Sequence, residues 1–230
     1  MPDPSDGTWE AVDAYLAGVL LSPDAALDAT LAASTEAGLP AIQVSALQGR
    51  LLELLARAVG ARSILEVGTL GGYSTIWLAR ALPADGRLVT LEIDPAHAEV
   101  ARRNVAGAGL AGVVEVRVGP APATLDQLAD EGAGPFDVVF LDADKAALPD
   151  YVTASVGLSR PGTVIIVDNV VRKGGVLDAG SADPDVVGVR RCLELLGSHP
   201  RLSATAIQTV GVKGHDGFAV ALVGAEPTPA

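Results

Sequence analysis

The chain has 230 residues and a formal net charge of −12, with 49% hydrophobic and 19% charged residues. That length suits one domain, with or without a terminal extension, and the composition supports a large buried core rather than wholesale disorder. The acidic balance argues against general nucleic-acid binding and an anionic membrane surface, and the single cysteine, Cys192, leaves no intrachain disulfide and no cysteine-rich metal site.

The polar, acidic start MPDPSDGTWE is unlike a signal peptide, and no apolar run reaches the roughly 18 residues of a membrane span. A soluble, cytoplasmic protein is the expectation. Residues 8–59 then read as helices. WEAVDAYLAGVLL breaks at Ser22-Pro23, DAALDATLAASTEAG stops at Gly38, and SALQGRLLELLARAV follows the break at Pro40. Residues 1–40 are read as a helical extension, 41–224 as the main domain and 225–230 as a loose tail.

From residue 63 short apolar runs alternate with helical patterns. The runs are SILEVG, RLVTLEID, VVEVRVG, FDVVFLDAD, GTVIIVDNV and, last, GFAVALV. Several are continuously apolar, as expected of strands buried on both faces. Between them lie YSTIWLARAL, PAHAEVARRNVAGAG, ATLDQLAD and LPDYVTASVGL, with turn pairs such as Asp85-Gly86 and Pro161-Gly162 at the joins. This rhythm predicts an α/β fold, a parallel sheet with helices on both faces.

Ligands of an open α/β sheet sit beyond the carboxyl ends of its strands. In ILEVGTLGGYST, residues 64–75, a strand ends near Glu66, and Gly68, Gly71 and Gly72 shape the turn into the next helix. Glu92, which closes RLVTLE, is placed to accept hydrogen bonds from both hydroxyls of a ribose. A dinucleotide turn would want glycine at position 70, where this chain has Leu70. A nucleoside without a diphosphate does not need that close backbone approach. The plainer alternative is that the glycines only shape a tight turn.

FDVVFLDADK ends in Asp142, Asp144 and Lys145, and GTVIIVDNV ends in Asp168 and Asn169. On neighbouring strands, Asp142, Asp168 and Asn169 would converge as oxygen donors, the chemistry of a hard ion such as Mg²⁺. Zinc fits poorly, because His97, His199 and His215 are scattered. Each acid after a strand also has a bland reading as a helix N-cap. Lys145 is one of three lysines, against thirteen arginines. Beside a bound cation and partly buried it is a candidate general base; otherwise it pairs with Asp142 or Asp144.

From about Ala41 to Val223 the chain resembles the cation-dependent class I methyltransferases that use S-adenosylmethionine, most closely the caffeoyl-CoA and catechol O-methyltransferase family. LEVGTLGGYST is similar to that family's cofactor turn, LEIDP to its ribose-binding segment and VGPA to its adenine-side loop. FLDADK and VDNV resemble its two metal segments, and HDGFAVAL its final strand. The resemblance implies that Glu66, Gly68 and Ser74 line the methionine end of the cofactor, with Val44 joining from the preceding loop. It implies Glu92 at the ribose, Ala121 near the adenine, and Asp142 beside the cofactor as well as at the metal. Asp142, Asp168 and Asn169 would hold Mg²⁺, and Lys145 would be the general base. The fold implied is a Rossmann-like, seven-stranded, mostly parallel sheet whose last strand runs antiparallel, and the assembly implied is a homodimer.

The chain departs from the family pattern after Lys145, where AALPDY carries Pro149. With 3% aromatic residues it offers few stacking walls for a phenolic ring. Trp9, Tyr15, Tyr151 and the loop NVVRKGGVLD are the candidates, while Arg172 and Lys173 could steer an anionic acyl tail, with solvated surface charges as the plainer reading. The activity implied is metal-dependent methyl transfer from S-adenosylmethionine to a hydroxyl of a catechol-like small molecule. Two other classes stay in play: an NAD-dependent oxidoreductase, which leaves Asp142, Asp168 and Asn169 unexplained, and a non-catalytic cofactor-binding protein, which has no use for the lysine.

Overall fold

A computed structural model describes residues 7–226, so the first six residues of the polar start and residues 227–230 of the expected tail lie outside the described residues. Three helices come first: α1 (Thr8–Leu20), α2 (Ala25–Glu36) and α3 (Ala46–Ala58). The alternating part runs β1 (Ser63–Val67), α4 (Tyr73–Ala79), β2 (Arg87–Glu92), α5 (Pro95–Gly107), β3 (Val114–Val118), α6 (Ala121–Asp130), β4 (Phe136–Leu141), α7 (Leu148–Gly157) and β5 (Ser159–Asp168). It closes with α8 (Pro184–Ser198), β6 (Leu202–Gly211) and β7 (Gly214–Val223), and short 3₁₀ turns occupy Lys145–Ala147 and Arg172–Leu177.

Short polar side chains set the helix starts by accepting otherwise unpaired N–H groups. Asp24 accepts from Ala26 and Leu27, Ser45 from Gln48, Asp94 from Ala96, and Asp183 from Asp185. Pro95 and Pro184 open α5 and α8, where a missing N–H does no harm.

The sheet has the order β3-β2-β1-β4-β5-β7-β6. β1 to β5 pair in parallel, and β7 runs antiparallel to both β5 and β6. Because the strand order reverses between β1 and β4, connections leave to opposite sides there and a cleft opens at the carboxyl edge. Alternate residues of each strand feed separate cores. Val89, Leu65, Val139, Ile165 and Ala221 form one row across the sheet and pack beneath α6, α7 and α8. Ile64, Val138, Phe140, Val164 and Ile166 face the other way, toward α2, α3, α4 and α5. Each large side chain so buried contributes about 1.5–3 kcal/mol of transfer free energy.

Two elements had no counterpart among the patterns read from the sequence. β6 is almost wholly exposed, an edge strand held by its ladder to β7 rather than by burial, so LSATAIQTVG lacks the apolar run of its neighbours. α8 carries its apolar positions around Gly188, a poor helix residue. The packing explains that glycine. A Cβ at Gly188 would sit 2.2 Å from the Lys145 carbonyl oxygen and 2.6 Å from the Ala146 Cα, both backbone atoms that cannot swing aside. α8 thus presses directly on the turn that carries Lys145.

Gly188→Ala is expected to lower stability by about 1–3 kcal/mol, the usual size of an overpacking effect. Urea unfolding measures it, and an unchanged midpoint would mean that α8 has room to move off the Lys145 turn.

Candidate active site

The cleft at the carboxyl edge is a cavity of about 850 Å³, within the ordinary range for small-molecule sites. Its wall includes Val44, Gly68, Ser74, Glu92, Ala121, Asp142, Lys145 and Asn169, eight of the ten residues expected from the sequence. Each arrives from the end of an element. Gly68 and Ser74 flank the turn between β1 and α4, Glu92 ends β2, and Ala121 opens α6. Val44 precedes α3, Asp142 follows β4 and Asn169 follows β5.

At the turn, Leu70 holds a left-handed backbone with φ 49°, doing without the glycine that a dinucleotide motif would place there. Its N–H donates to Glu92 Oε2 at 2.7 Å, and the Asp94 N–H donates to Oε1 at 3.0 Å. Glu92 is therefore oriented by the backbone on both oxygens, and each keeps a second lone pair for a ligand.

Glu66 sits one layer behind this wall. Strand alternation turns it toward α4, where it is fully buried. Ser74 Oγ donates to Oε1 at 2.7 Å, and Thr75 and Thr90 hydroxyls donate to Oε2. Thr90 in turn shares a 2.6 Å hydrogen bond with Thr69. Burial pushes the Glu66 carboxyl up to about 7 against the pull of the three hydroxyl donors, and the Asp142 charge adds to the rise. Thr69, Thr75 and Thr90 were missed in the sequence; a hydroxyl beside a buried acid has no motif, only a place in the fold.

Asp168 is also out of the wall proper, at 5% exposure. Burial and then the Asp142 charge push its carboxyl up to about 7, while Lys145, the Asn169 N–H and the Gln48 side chain pull the other way. Asn169, with φ 58°, breaks the strand's alternation immediately afterwards, a left-handed turn that asparagine tolerates better than most residues. Lys145 is buried, and its Nζ donates to Asp142 Oδ1 at 2.7 Å. Asp144, the other partner considered for it, instead accepts from the Tyr151 hydroxyl. Among the described residues no group of three or more His, Cys, Asp or Glu side chains is arranged to hold a metal, so a cation here depends on the Asn169 amide as third donor.

The aromatic expectations are corrected. Tyr151 lines the cavity, but Trp9 and Tyr15 do not: both belong to α1, and Tyr15 is 69% exposed. The cavity wall instead includes Tyr73, Ile42, Ile93 and His97, together with Lys213 from the β6–β7 turn, none of which the sequence singled out for the site. Arg172 and Lys173, read either as solvated charges or as steering an anionic tail, also stand on the wall.

Among the described residues no helix is long and apolar enough to cross a membrane. The fold and cleft are those of a class I methyltransferase. The O-methyltransferase family model matches residues 24–221, and the chain belongs to that family. It is 57% identical over 222 residues to a catechol O-methyltransferase of Mycobacterium tuberculosis, covering 96% of this chain and 97% of the relative. It is 52% identical over 215 residues to a catechol O-methyltransferase of Niastella koreensis, covering 94% and 97%. An O-methyltransferase from Bacillus cereus, solved in complex with SAH (S-adenosylhomocysteine), superposes with a TM-score of 0.93 at 54% identity, covering 94% of this chain and 98% of that one.

Glu66 yields a stability prediction. Its folded-state carboxyl is raised from 4.5 to about 7, so the folded protein holds the proton more tightly. The resulting stabilisation is complete below the ordinary value and is lost as pH climbs through about 7, a change of at most about 3 kcal/mol. Glu66→Gln is expected to flatten the fall in stability between about pH 5 and 8 by about 1–3 kcal/mol. Thermal melts across that range measure it, and parallel curves for parent and variant would contradict it.

Proposed function

We propose that this protein transfers a methyl group from S-adenosylmethionine to one hydroxyl of a catechol-like, vicinal-dihydroxy aromatic molecule, assisted by a divalent cation such as Mg²⁺. The observation that carries the reading is the meeting of Asp142, Lys145 and Asn169 with Gly68, Ser74 and Glu92 in one cavity. The names of its relatives, and the SAH held by the Bacillus cereus enzyme, support the substrate and cofactor. An oxidoreductase leaves the acids and lysine without a task.

In this reading Glu92 accepts from the ribose hydroxyls, charge-assisted bonds worth roughly 1.5–3 kcal/mol each. Val44, Gly68 and Ser74 border the methionine end, Ala121 the adenine, and Glu66 acts from behind by holding the Ser74 hydroxyl. The cofactor supplies an electrophilic methyl carbon on a sulfonium, which leaves as a thioether when the oxygen attacks in line.

The residues fit a hard divalent cation. Asp142 and Asp168 repel one another in a buried setting, and the Asn169 amide adds a neutral oxygen. When bound, the cation supplies Lewis acidity that favours ionisation of the acceptor hydroxyl and fixes its orientation. Asp142 now accepts from the Lys145 ammonium; were Asp142 to serve a cation instead, Lys145 would first give up a proton to solvent, and its neutral Nζ would then be able to take the hydroxyl proton. Holding oxygen and methyl carbon in register supplies much of the remaining acceleration.

A homodimer is part of the proposal. α1 has no buried residue, and Tyr15, Val19 and Leu20 are each more than 60% exposed. The β6 edge nearby is likewise uncovered, with Ile207 and Val210 about half exposed. A second copy covering α1 and β6 would remove both from water.

Methyl transfer to catechol from labelled S-adenosylmethionine tests the activity. It should require Mg²⁺, stop in excess chelator and return on adding the metal back; full activity in chelator would exclude the cation. Lys145→Met should lower kcat by roughly 10²–10⁴-fold, the usual contribution of a general base, with S-adenosylhomocysteine affinity unchanged. A near-parental kcat would reduce Lys145 to the ion pair with Asp142. Light scattering should give twice the chain mass of 23.2 kDa, and the single mass would count against the dimer.

A further inference from the structure

All three lysines of this acidic chain, Lys145, Lys173 and Lys213, stand on the wall of one cavity, with Arg172 beside them. Two of these four cations are matched: Lys145 by Asp142 and Arg172 by Asp185, each at 2.7 Å. Among the described residues Lys173 and Lys213 form no ion pair. Nor do the neighbouring acids lack donors. Asp144 accepts from Tyr151, and Asp216 accepts from the Val171, Arg172 and Gly217 N–H groups.

Lys213 sits in the two-residue turn between β6 and β7. Among the described residues its Nζ reaches only the Ala41 carbonyl, at 3.3 Å, a long and weak bond. Burial pulls its ammonium below the ordinary lysine range, although Asp142 and Asp168 are near enough to oppose that. Lys173 lies in the loop after β5 with φ 55°, a left-handed backbone that disfavours residues other than glycine. Asp216 ties that loop to β7, so both lysines are carried by backbone fastened to the same strand. Among the described residues, a protein with twelve surplus negative charges leaves these two cations of its ligand cavity without a carboxylate partner.

We infer that the cavity selects catechol-like acceptors bearing a carboxylate close to the ring, with Lys213 as the principal charge partner and Lys173 as the second. This rests on the methyl-transfer reading above. Asp142, Lys145 and Asn169 share one cavity wall with Lys173 and Lys213, so a ring whose hydroxyls meet the first three can present an anionic substituent to the two lysines. The cavity, about 850 Å³, must hold the cofactor as well, which favours a compact acid over a long anionic tail.

The test compares kcat/KM for 3,4-dihydroxybenzoate and its neutral isostere 3,4-dihydroxybenzamide, with saturating S-adenosylmethionine and Mg²⁺. The parent should prefer the acid at least tenfold, mainly through KM. Lys213→Met should raise KM for the acid alone and remove most of that preference, Lys213→Arg should restore it, and Lys173→Met should weaken it less. Equal use of acid and amide by the parent overturns the inference. So does a Lys213→Met variant that loses both substrates equally or raises KM for S-adenosylmethionine, since the lysine would then serve the wall or the cofactor's own carboxylate. A parent that prefers a catechol acyl thioester of coenzyme A to the free acid also overturns it, placing the anion on a long tail. Turnover of both probes without preference removes this inference and leaves the methyl-transfer reading standing. Turnover of neither probe, nor of catechol itself, removes that reading and this inference with it.

Discussion

At the carboxyl end of β1 the Gly68 backbone lies so close to β4 that a Cβ there would meet the Asp142 carbonyl oxygen at 2.2 Å. Its φ of 102° is one that side chains other than hydrogen rarely accept. Around it, the Asp142 N–H donates to the Val67 carbonyl at 2.8 Å, and the Gly68 N–H donates to the Leu91 carbonyl at 3.0 Å. Three strand ends are bound together at that point. From them leave Glu92 on β2, the glycine turn on β1 and Asp142 after β4, and their ligand-facing groups have one cleft to share. The glycine turn and the acid cluster, read as separate motifs, are neighbours because two backbones touch.

The buried acids of the sheet show how location decides what a carboxylate does. Asp137 lies at the opposite end of β4. Burial raises its carboxyl, but the Arg62 N–H, the Arg160 side chain and the Ser63 N–H outweigh that and hold it below the ordinary range. It is a satisfied structural anion. Glu66 has three hydroxyl donors and no cation, and Asp168 has another carboxylate for company; both are pushed up to about 7. Acids left under-compensated at the ligand end, and well compensated at the other, are the pattern expected when the first are kept for chemistry. In Asp168 the imbalance has an evident remedy in a cation. Glu66 has three hydroxyl donors instead, which make it a strut for Ser74.

Most of this architecture was legible because the buried parallel strands advertise themselves as continuous apolar runs and the capped helices begin at Asp or Ser. Legibility failed where burial failed. β6 is an exposed edge whose partner lies beyond a two-residue turn, so its identity is a matter of pairing that no local pattern carries. At the site, residues at strand ends were readable, since a strand's end is a sequence feature. Lys213, Tyr73 and the threonines around Glu66 were not, because tertiary packing rather than local sequence places them. Glu66 itself was placed a layer too far forward: a period of two residues, applied to β1, turns it away from the Val67 side of the sheet and under α4. Trp9 and Tyr15 drew notice as scarce aromatics, yet scarcity says nothing about position.

The helices that precede the sheet are bound into the cleft rather than appended to it. Ser34 on α2 packs so tightly against Gly71 that a Cβ there would sit 2.1 Å from its Oγ, and Asn104 on α5 donates to the Gly71 carbonyl at 2.8 Å. The glycine turn is therefore clamped from outside by α2 and α5. On the far side, Asp13 of α1 accepts the Val212 N–H at 2.8 Å, and Lys213 reaches the Ala41 carbonyl, so the β6–β7 turn is fastened to two of the earliest segments of the chain. The segment from Pro40 to Val44, which forms part of the cavity wall, is held between these two attachments. The Lys213 turn is joined to that wall at Ala41, while the Gly68–Asp142 junction beneath rests on backbone contacts between strand ends. The cleft thus has a rigid floor set by backbone contact and a wall set by chain ends.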